Sequence, residues 1–291
     1  MNDIRIGTIG TGSIVSKILT GVSRTEGIRC EAVYSRDEGK GRALADAFGV
    51  EKVYTDLEAL LTDPAIDYVY VASPNSLHFE QARAALEHGK NVLCEKPFTS
   101  TVREADELIR LARDSRLFLY EMVPTSFLPN YQLVKEHLAE LGRVRLVLCN
   151  YSQYSSRYDN LKAGEVTNIF DPAYSGGCLQ DINYYNVYFA ISLLGKPLSA
   201  RYDANRFANG IDTSGVVTLQ YADPSDAMPS RTAFSAPIVD TTGAGDAFHL
   251  VRVGPLAGFE PGVVAADGAV FLAELAAEFG QVEHDGEART V

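Results

Sequence analysis

The sequence predicts an α/β chain in two parts, a parallel-sheet domain followed by an α+β domain on an open, mostly antiparallel sheet. Three observations predict it. Short apolar runs alternate with amphipathic stretches over residues 1–122, as strands and crossover helices do. A Gly10-Thr11-Gly12 turn joins the first apolar run to the first amphipathic one. After Pro124 the apolar positions fall into longer runs of period two, broken by helix-like segments. The chain therefore divides into residues 1–122 and 123–291, with 256–291 the least patterned part.

In order, "IRIGTIG" reads as a strand buried on both faces and "SIVSKILTGV" as the helix after it. "CEAVYS" is a second strand, followed by helical "EGKGRALADAFG". "DYVYVAS" is a third, followed by "SLHFEQARAALEHG", where Gly89 suits a helix stop. "NVLCE" and "LFLYE" are two more strands, with helical "VREADELIRLARDS" between them. In the second part, "RVRLVLCNYSQY", "SARYDANRF", "TSGVVTLQY" and "RTAFSA" read as strands with one open face. "NYQLVKEHLAEL" and "CLQDINYYNVYFAISLLG" read as helices, as does "VVAADGAVFLAELAAEFG" near the end.

The 291 residues carry a net charge of −12, which argues against nucleic acid or an anionic membrane surface as a partner. Cys30, Cys94, Cys149 and Cys178 lie far apart without CxxC spacing, so we expect no metal centre and no disulfide framework. That usage, with no cleavable signal and no apolar run of spanning length, points to the cytoplasm.

Gly10 and Gly12 let the chain turn tightly, and Ser13 and Ile14 open a helix whose free amides can hold a pyrophosphate. This is the dinucleotide-binding (Rossmann) arrangement, with Val15 in place of the third glycine; a plain strand-to-helix turn is the alternative. The second strand ends in Ser35 and Arg36, where NAD sites carry an acid for the ribose hydroxyl. Serine plus arginine suits a 2′-phosphate, so NADP is expected, with NAD left open should Arg36 only stack on adenine.

The stretch "ASPNSLHFEQARAALEHGKNVLCEKPF" resembles the glucose–fructose oxidoreductase/inositol dehydrogenase (Gfo/Idh/MocA) family. The matching residues are Ala72, Ser73, Pro74, Asn75 and His78 in one loop, and Glu95, Lys96 and Pro97 in the next. The resemblance implies a Rossmann domain, an antiparallel-sheet domain and NAD(P)-dependent chemistry on sugars, cyclitols or related diols. It also implies a cis bond before Pro97 and a cofactor role for both loops. Lys96 follows a strand at the carboxyl edge of the sheet, where its ammonium can stabilise charge on a substrate oxygen. A solvated cap is the alternative for an isolated lysine. "SGGCLQDINYY" resembles the family's second signature, with Asp181 in the place of its aspartate, Asn183 replacing glycine and Tyr185 replacing histidine. Asp181 and Tyr185, four apart, should share one helix face. A free phenol has a pKa of about 10, and a lysine ammonium beside it would favour the phenolate. Lys96 and Tyr185 are therefore the expected catalytic pair, with Asp181 orienting one of them. An aromatic helix face packing on the sheet is the alternative, and it is preferred for Tyr184, Tyr188 and Phe189.

"NYSQYSSRYDN" supplies Tyr151, Gln153, Tyr154, Arg157 and Tyr158. Hydroxyls and a guanidinium there suit a polyol or carbonyl substrate, with Tyr154 and Arg157 as the chosen contacts; an exposed strand edge or an oligomer contact explains them equally. A one-sided sheet with aromatic strands needs a cover, which points to a homo-oligomer, most simply a homodimer. "VDTTGAGDAF" matches a sugar-kinase motif in which Asp246 would be the base. The period-two run after it instead predicts a strand over 247–253, with 241–246 as the turn of a hairpin. A non-catalytic NADP(H)-binding sensor is the remaining alternative.

Overall fold

The computed structural model describes residues 3–142, 144–222, 230–236 and 247–251. They form two compact units, and each is taken by itself.

The first unit holds a six-stranded sheet made of β1 (Ile4–Ile9), β2 (Ile28–Tyr34), β3 (Lys52–Tyr54), β4 (Tyr68–Val71), β5 (Asn91–Glu95) and β6 (Leu119–Met122). The spatial order is β3-β2-β1-β4-β5-β6, and every pair is parallel. The crossovers include α1 (Ser13–Val22), α2 (Glu38–Phe48), α3 (Leu57–Thr62), α4 (His78–Glu87) and α5 (Val102–Ser115). Helices on a parallel sheet bury its central strands, and Ile6, Ile9, Val33, Val69, Val71 and Val92 are all inaccessible or nearly so. The register makes the strand ends level. Ile9 sits opposite Tyr34 and Val71, Val71 opposite Cys94, and Glu95 opposite Met122. The loops starting at Gly10, Ser35, Ala72 and Lys96 therefore leave one edge.

Nothing in the sequence pattern marks β3 and α3. A strand of three residues and a helix of six are too short to show a period. Tertiary bonds hold them in place. The Asp63 carboxylate accepts from Lys52 Nζ at 2.8 Å, from the Tyr54 hydroxyl at 2.9 Å and from the Ala65 amide at 2.8 Å. Lys90 Nζ donates to the Asp63 and Ile66 carbonyls, clamping the same turn from the start of β5.

In the second unit α6 (Pro129–His137) and β7 (Leu146–Asn150) come first, then α7 (Tyr158–Lys162) and α8 (Tyr184–Leu194). β8 (Ser199–Arg206), β9 (Asp212–Tyr221) and β10 (Ser230–Ala236) form an antiparallel sheet in the order β10-β9-β8. β11 (Ala247–Val251) pairs antiparallel with β7. Helix α8 is buried on almost every side, and Val187, Ala190, Ile191, Val217 and Leu219 lie in one core cluster with Val147 and Cys149. Tyr184 and Phe189 are core residues here, and Tyr188 packs at its margin with its hydroxyl 2.6 Å from Ser126 Oγ.

Two expectations change. The strand read over 143–154 is shorter, because the main chain leaves the β11 pairing at Asn150. The open side of β8 carries Ser199, Arg201, Asp203 and Asn205, so it is polar and not aromatic. The strand expected at 247–253 is present over the described 247–251, where it pairs with β7; residues 237–246, which include most of the expected hairpin partner, lie outside the described residues. The turn 241–246, Asp246 and the helix read near the end lie outside the described residues.

Asp63 gives a pH prediction. Burial alone would raise its pKa, but bonds from Lys52, the Ala65 amide and Tyr54 outweigh this and bring it down to about 2. A carboxylate with a depressed folded pKa stabilises the fold above its unfolded value near 3.8 and loses that contribution as pH falls towards 2. With the Lys52 side chain 39% exposed, the contribution is discounted to about 1–2 kcal/mol. Asp63→Asn should lower the melting temperature at pH 7 and converge on wild type near pH 2; a gap that does not narrow would contradict this.

Candidate active site

The first site element is the β1–α1 turn. Gly10 has φ +114°, and a Cβ built on it would lie 2.5 Å from the Ala72 carbonyl oxygen. Only glycine permits both the left-handed backbone and that approach. At Gly12 a Cβ would meet nothing within 4 Å, so the surface above it is open. Gly12 is the N-cap of α1 and no side chain caps the helix, whereas Asp37 caps α2 and Asp56 caps α3. Exposed Ser13 and partly exposed Ile14 thus begin a helix whose amide end faces outward. An open glycine surface beside uncapped amides fits a pyrophosphate.

At the end of β2, Ser35 is buried and its hydroxyl accepts from the Asp37 amide at 3.2 Å. Asp37 is itself the α2 cap, its carboxylate accepting from the Lys40 amide at 3.0 Å. Arg36 is exposed and is the cation placed at this strand end.

The loops after β4 and β5 are tied by His78. Its ring is 1% exposed, with Nδ1 2.9 Å from the Pro97 carbonyl oxygen and Nε2 2.9 Å from that of Ser73. Burial pushes its pKa down, against the pull of the two carbonyls. His78 therefore holds the loops from beneath, and any effect on a cofactor passes through them. Ala72, Ser73, Pro74 and Asn75 are partly exposed above it. Ser73 Oγ is buried and without a partner among the described residues, a polar atom a cofactor can satisfy.

Lys96 follows β5, is partly exposed, and joins buried Pro97 through a cis peptide. Two neighbours escaped the sequence reading. Tyr70 on β4 donates to Glu95 Oε1 at 2.6 Å, and the Phe98 amide donates to Glu121 Oε1 at 2.9 Å. Burial raises the Glu95 carboxyl pKa. A polar atom in the middle of the apolar "DYVYVAS" run was the available signal for Tyr70.

In the second unit, residues Leu179–Asn183 form a π-type turn that runs into α8. Asp181 lies in the π turn and Tyr185 in the first turn of α8, so the pair straddles a change of helical pitch. The two turns are continuous, so the pair lies along one helical segment, four residues apart. Tyr185 is half-buried and its ring lies 5.6 Å from that of Tyr151. Tyr151 is thus brought to Tyr185. Tyr154 is engaged elsewhere, donating to Asp159 at 2.6 Å and accepting from Lys162 at 2.8 Å. Arg157 is exposed at the start of α7. Among the described residues no group of three His, Cys, Asp or Glu could hold a metal ion. No helix among them is long and apolar enough to cross a membrane.

Residues 4–121 match the oxidoreductase family with an NAD-binding Rossmann fold, and residues 131–232 match the Gfo/Idh/MocA C-terminal domain. The chain is 41% identical to the uncharacterized oxidoreductase YgjR of Escherichia coli (strain K12), over 76% of this chain and 67% of that protein. It is 39% identical to scyllo-inositol 2-dehydrogenase (NADP(+)) IolU of Bacillus subtilis (strain 168), over 75% of this chain and 66% of that protein. It thus spans about two thirds of the length of these relatives. A 3-ketoreductase from Actinomadura kijaniata, solved with NADP, is 25% identical with a TM-score of 0.67, over 81% of this chain and 69% of that one. The chain belongs to the Gfo/Idh/MocA family of oxidoreductases, with an NAD(P)-binding Rossmann domain followed by the family's C-terminal domain.

Proposed function

We propose that the protein is an NADP(H)-dependent dehydrogenase or reductase of a sugar, cyclitol or related diol or ketone. The observation that carries this is the level strand edge, which starts the Gly10, Ala72 and Lys96 loops together. The nicotinamide cofactor, when bound, supplies or accepts the hydride. Gly10, Gly12, Ser13 and Ile14 hold its pyrophosphate, Arg36 its 2′-phosphate, and the loops at Ala72–Asn75 and Glu95–Pro97 its nicotinamide half. Lys96 donates a hydrogen bond to the substrate oxygen and stabilises the charge that grows there on reduction. Tyr185 passes the proton to that oxygen, and Asp181 orients the pair. Tyr151 beside Tyr185 offers an apolar ring face to the C–H side of a polyol, which gives it a better claim to substrate than Tyr154 or Arg157. The cyclitol and NADP in the name of the Bacillus subtilis relative agree with this reading.

Cofactor choice is the first test. NADPH should bind about tenfold or more tightly than NADH by titration of its own fluorescence, and Arg36→Ala should remove most of the difference. Equal affinities in the wild type would sink the NADP assignment.

Lys96→Ala should lower kcat by about 100-fold or more while NADPH affinity stays within about threefold. Tyr185→Phe should lower kcat by about tenfold or more. Near-wild-type turnover of scyllo-inositol, myo-inositol and D-xylose in both variants would place the chemistry elsewhere.

The proposal keeps a homodimer, but the polar open side of β8 gives it no aromatic face to bury. Light scattering at micromolar concentration should give twice the chain mass. A monomeric mass would remove this part.

A further inference from the structure

We propose that Asp212 is a positioning residue for the reaction, fixing from β9 the turn that carries Asp181 and Tyr185. This rests on the reading of Tyr185 above. The π turn at Leu179–Asn183 has no side-chain cap of its own, since Cys178 makes none. The cap comes instead from the facing strand. Asp212 is buried, and its Oδ2 accepts from the Leu179 amide at 2.7 Å and from the Tyr202 hydroxyl at 2.6 Å. A carboxylate at the amide end of a helical turn also meets the favourable end of its dipole.

The surrounding glycines are shaped to this carboxylate. Gly177 has φ +107°, and a Cβ on it would fall 2.0 Å from Asp212 Oδ1. A Cβ on Gly176 would fall 2.5 Å from the Ile169 carbonyl oxygen, which is main chain and cannot move aside. Gly215 on β9 underlies the Tyr202 ring, where a Cβ would lie 2.3 Å from Cε2. Gly177 thus makes room for the strand carboxylate, Gly176 for the main chain at Ile169, and Gly215 lets the phenol lie flat across β9 to reach Asp212. Burial and the adjacent carboxylate both raise the Tyr202 pKa, so the phenol remains a donor. One aspartate therefore sets the height and rotation of the turn from which Asp181 and Tyr185 project.

The test uses the full chain and two readouts. The first is hydrogen exchange of the peptide covering 177–185 without cofactor or substrate. The second is kcat with NADP+ and scyllo-inositol. Asp212→Ala should speed exchange of that peptide about tenfold and lower kcat about tenfold, with NADPH affinity within about twofold. Asp212→Asn keeps one acceptor oxygen and should recover part of both. In a Tyr185→Phe background the further loss of kcat from Asp212→Ala should shrink to about twofold, since both act through one group. Unchanged exchange, or an equal kcat loss in both backgrounds, overturns the positioning role. A Tyr185→Phe variant that turns over normally refutes the Tyr185 reading instead, and the exchange result then decides the positioning by itself. Should Asp212→Ala fail to fold, Tyr202→Phe replaces it, with about threefold effects expected and no effect overturning the proposal.

Discussion

The first domain depends on main-chain contact across the carboxyl edge of its sheet. Gly10 lies so close to the Ala72 carbonyl that no side chain fits between them. The next loop residue, Ser73, is held by the ring of His78, which also reaches Pro97, and Phe98 is held by Glu121 on the outermost strand. Four strand ends are thus linked into one belt with little freedom in its loops. Such loops can present amides and an ammonium at fixed positions, which is what binding and charge stabilisation need. The belt requires level strand ends, and those follow from an all-parallel sheet with matched register.

The second domain solves a similar problem by another route. Its candidate residues sit on a helical turn, so the turn must be anchored from outside. A helix as fully buried as α8 is fixed along its length by packing, yet packing does not fix its entry. The buried carboxylate of Asp212 does that, and glycines at the points of closest approach make it possible. In both domains the glycines serve approach between backbone and a polar partner.

Much of this was legible from sequence, and the rest was hidden for physical reasons. Long strands and helices of the first domain showed their periods, and the turn at Gly10–Gly12 and the Glu95-Lys96-Pro97 segment showed their chemistry. The short β3 and α3 carry no period and exist through Asp63 and Lys90, contacts that join distant parts of the chain. His78 was visible as a motif residue, but its service to two carbonyls is a matter of burial. The π turn that carries Asp181 was not legible, because it has no sequence spacing that tells it from an α turn. Asp212 was missed altogether. It stands in a strand, 33 positions from the amide it caps, and no local pattern marks it.

The central claim is that the belt at the carboxyl edge holds the nicotinamide cofactor. Hydrogen exchange of the whole chain with and without saturating NADPH tests it most directly. The account predicts slowed exchange in the segments 10–15, 72–78 and 95–98. Binding that leaves those three segments unchanged, or protection confined to 241–246, would contradict it.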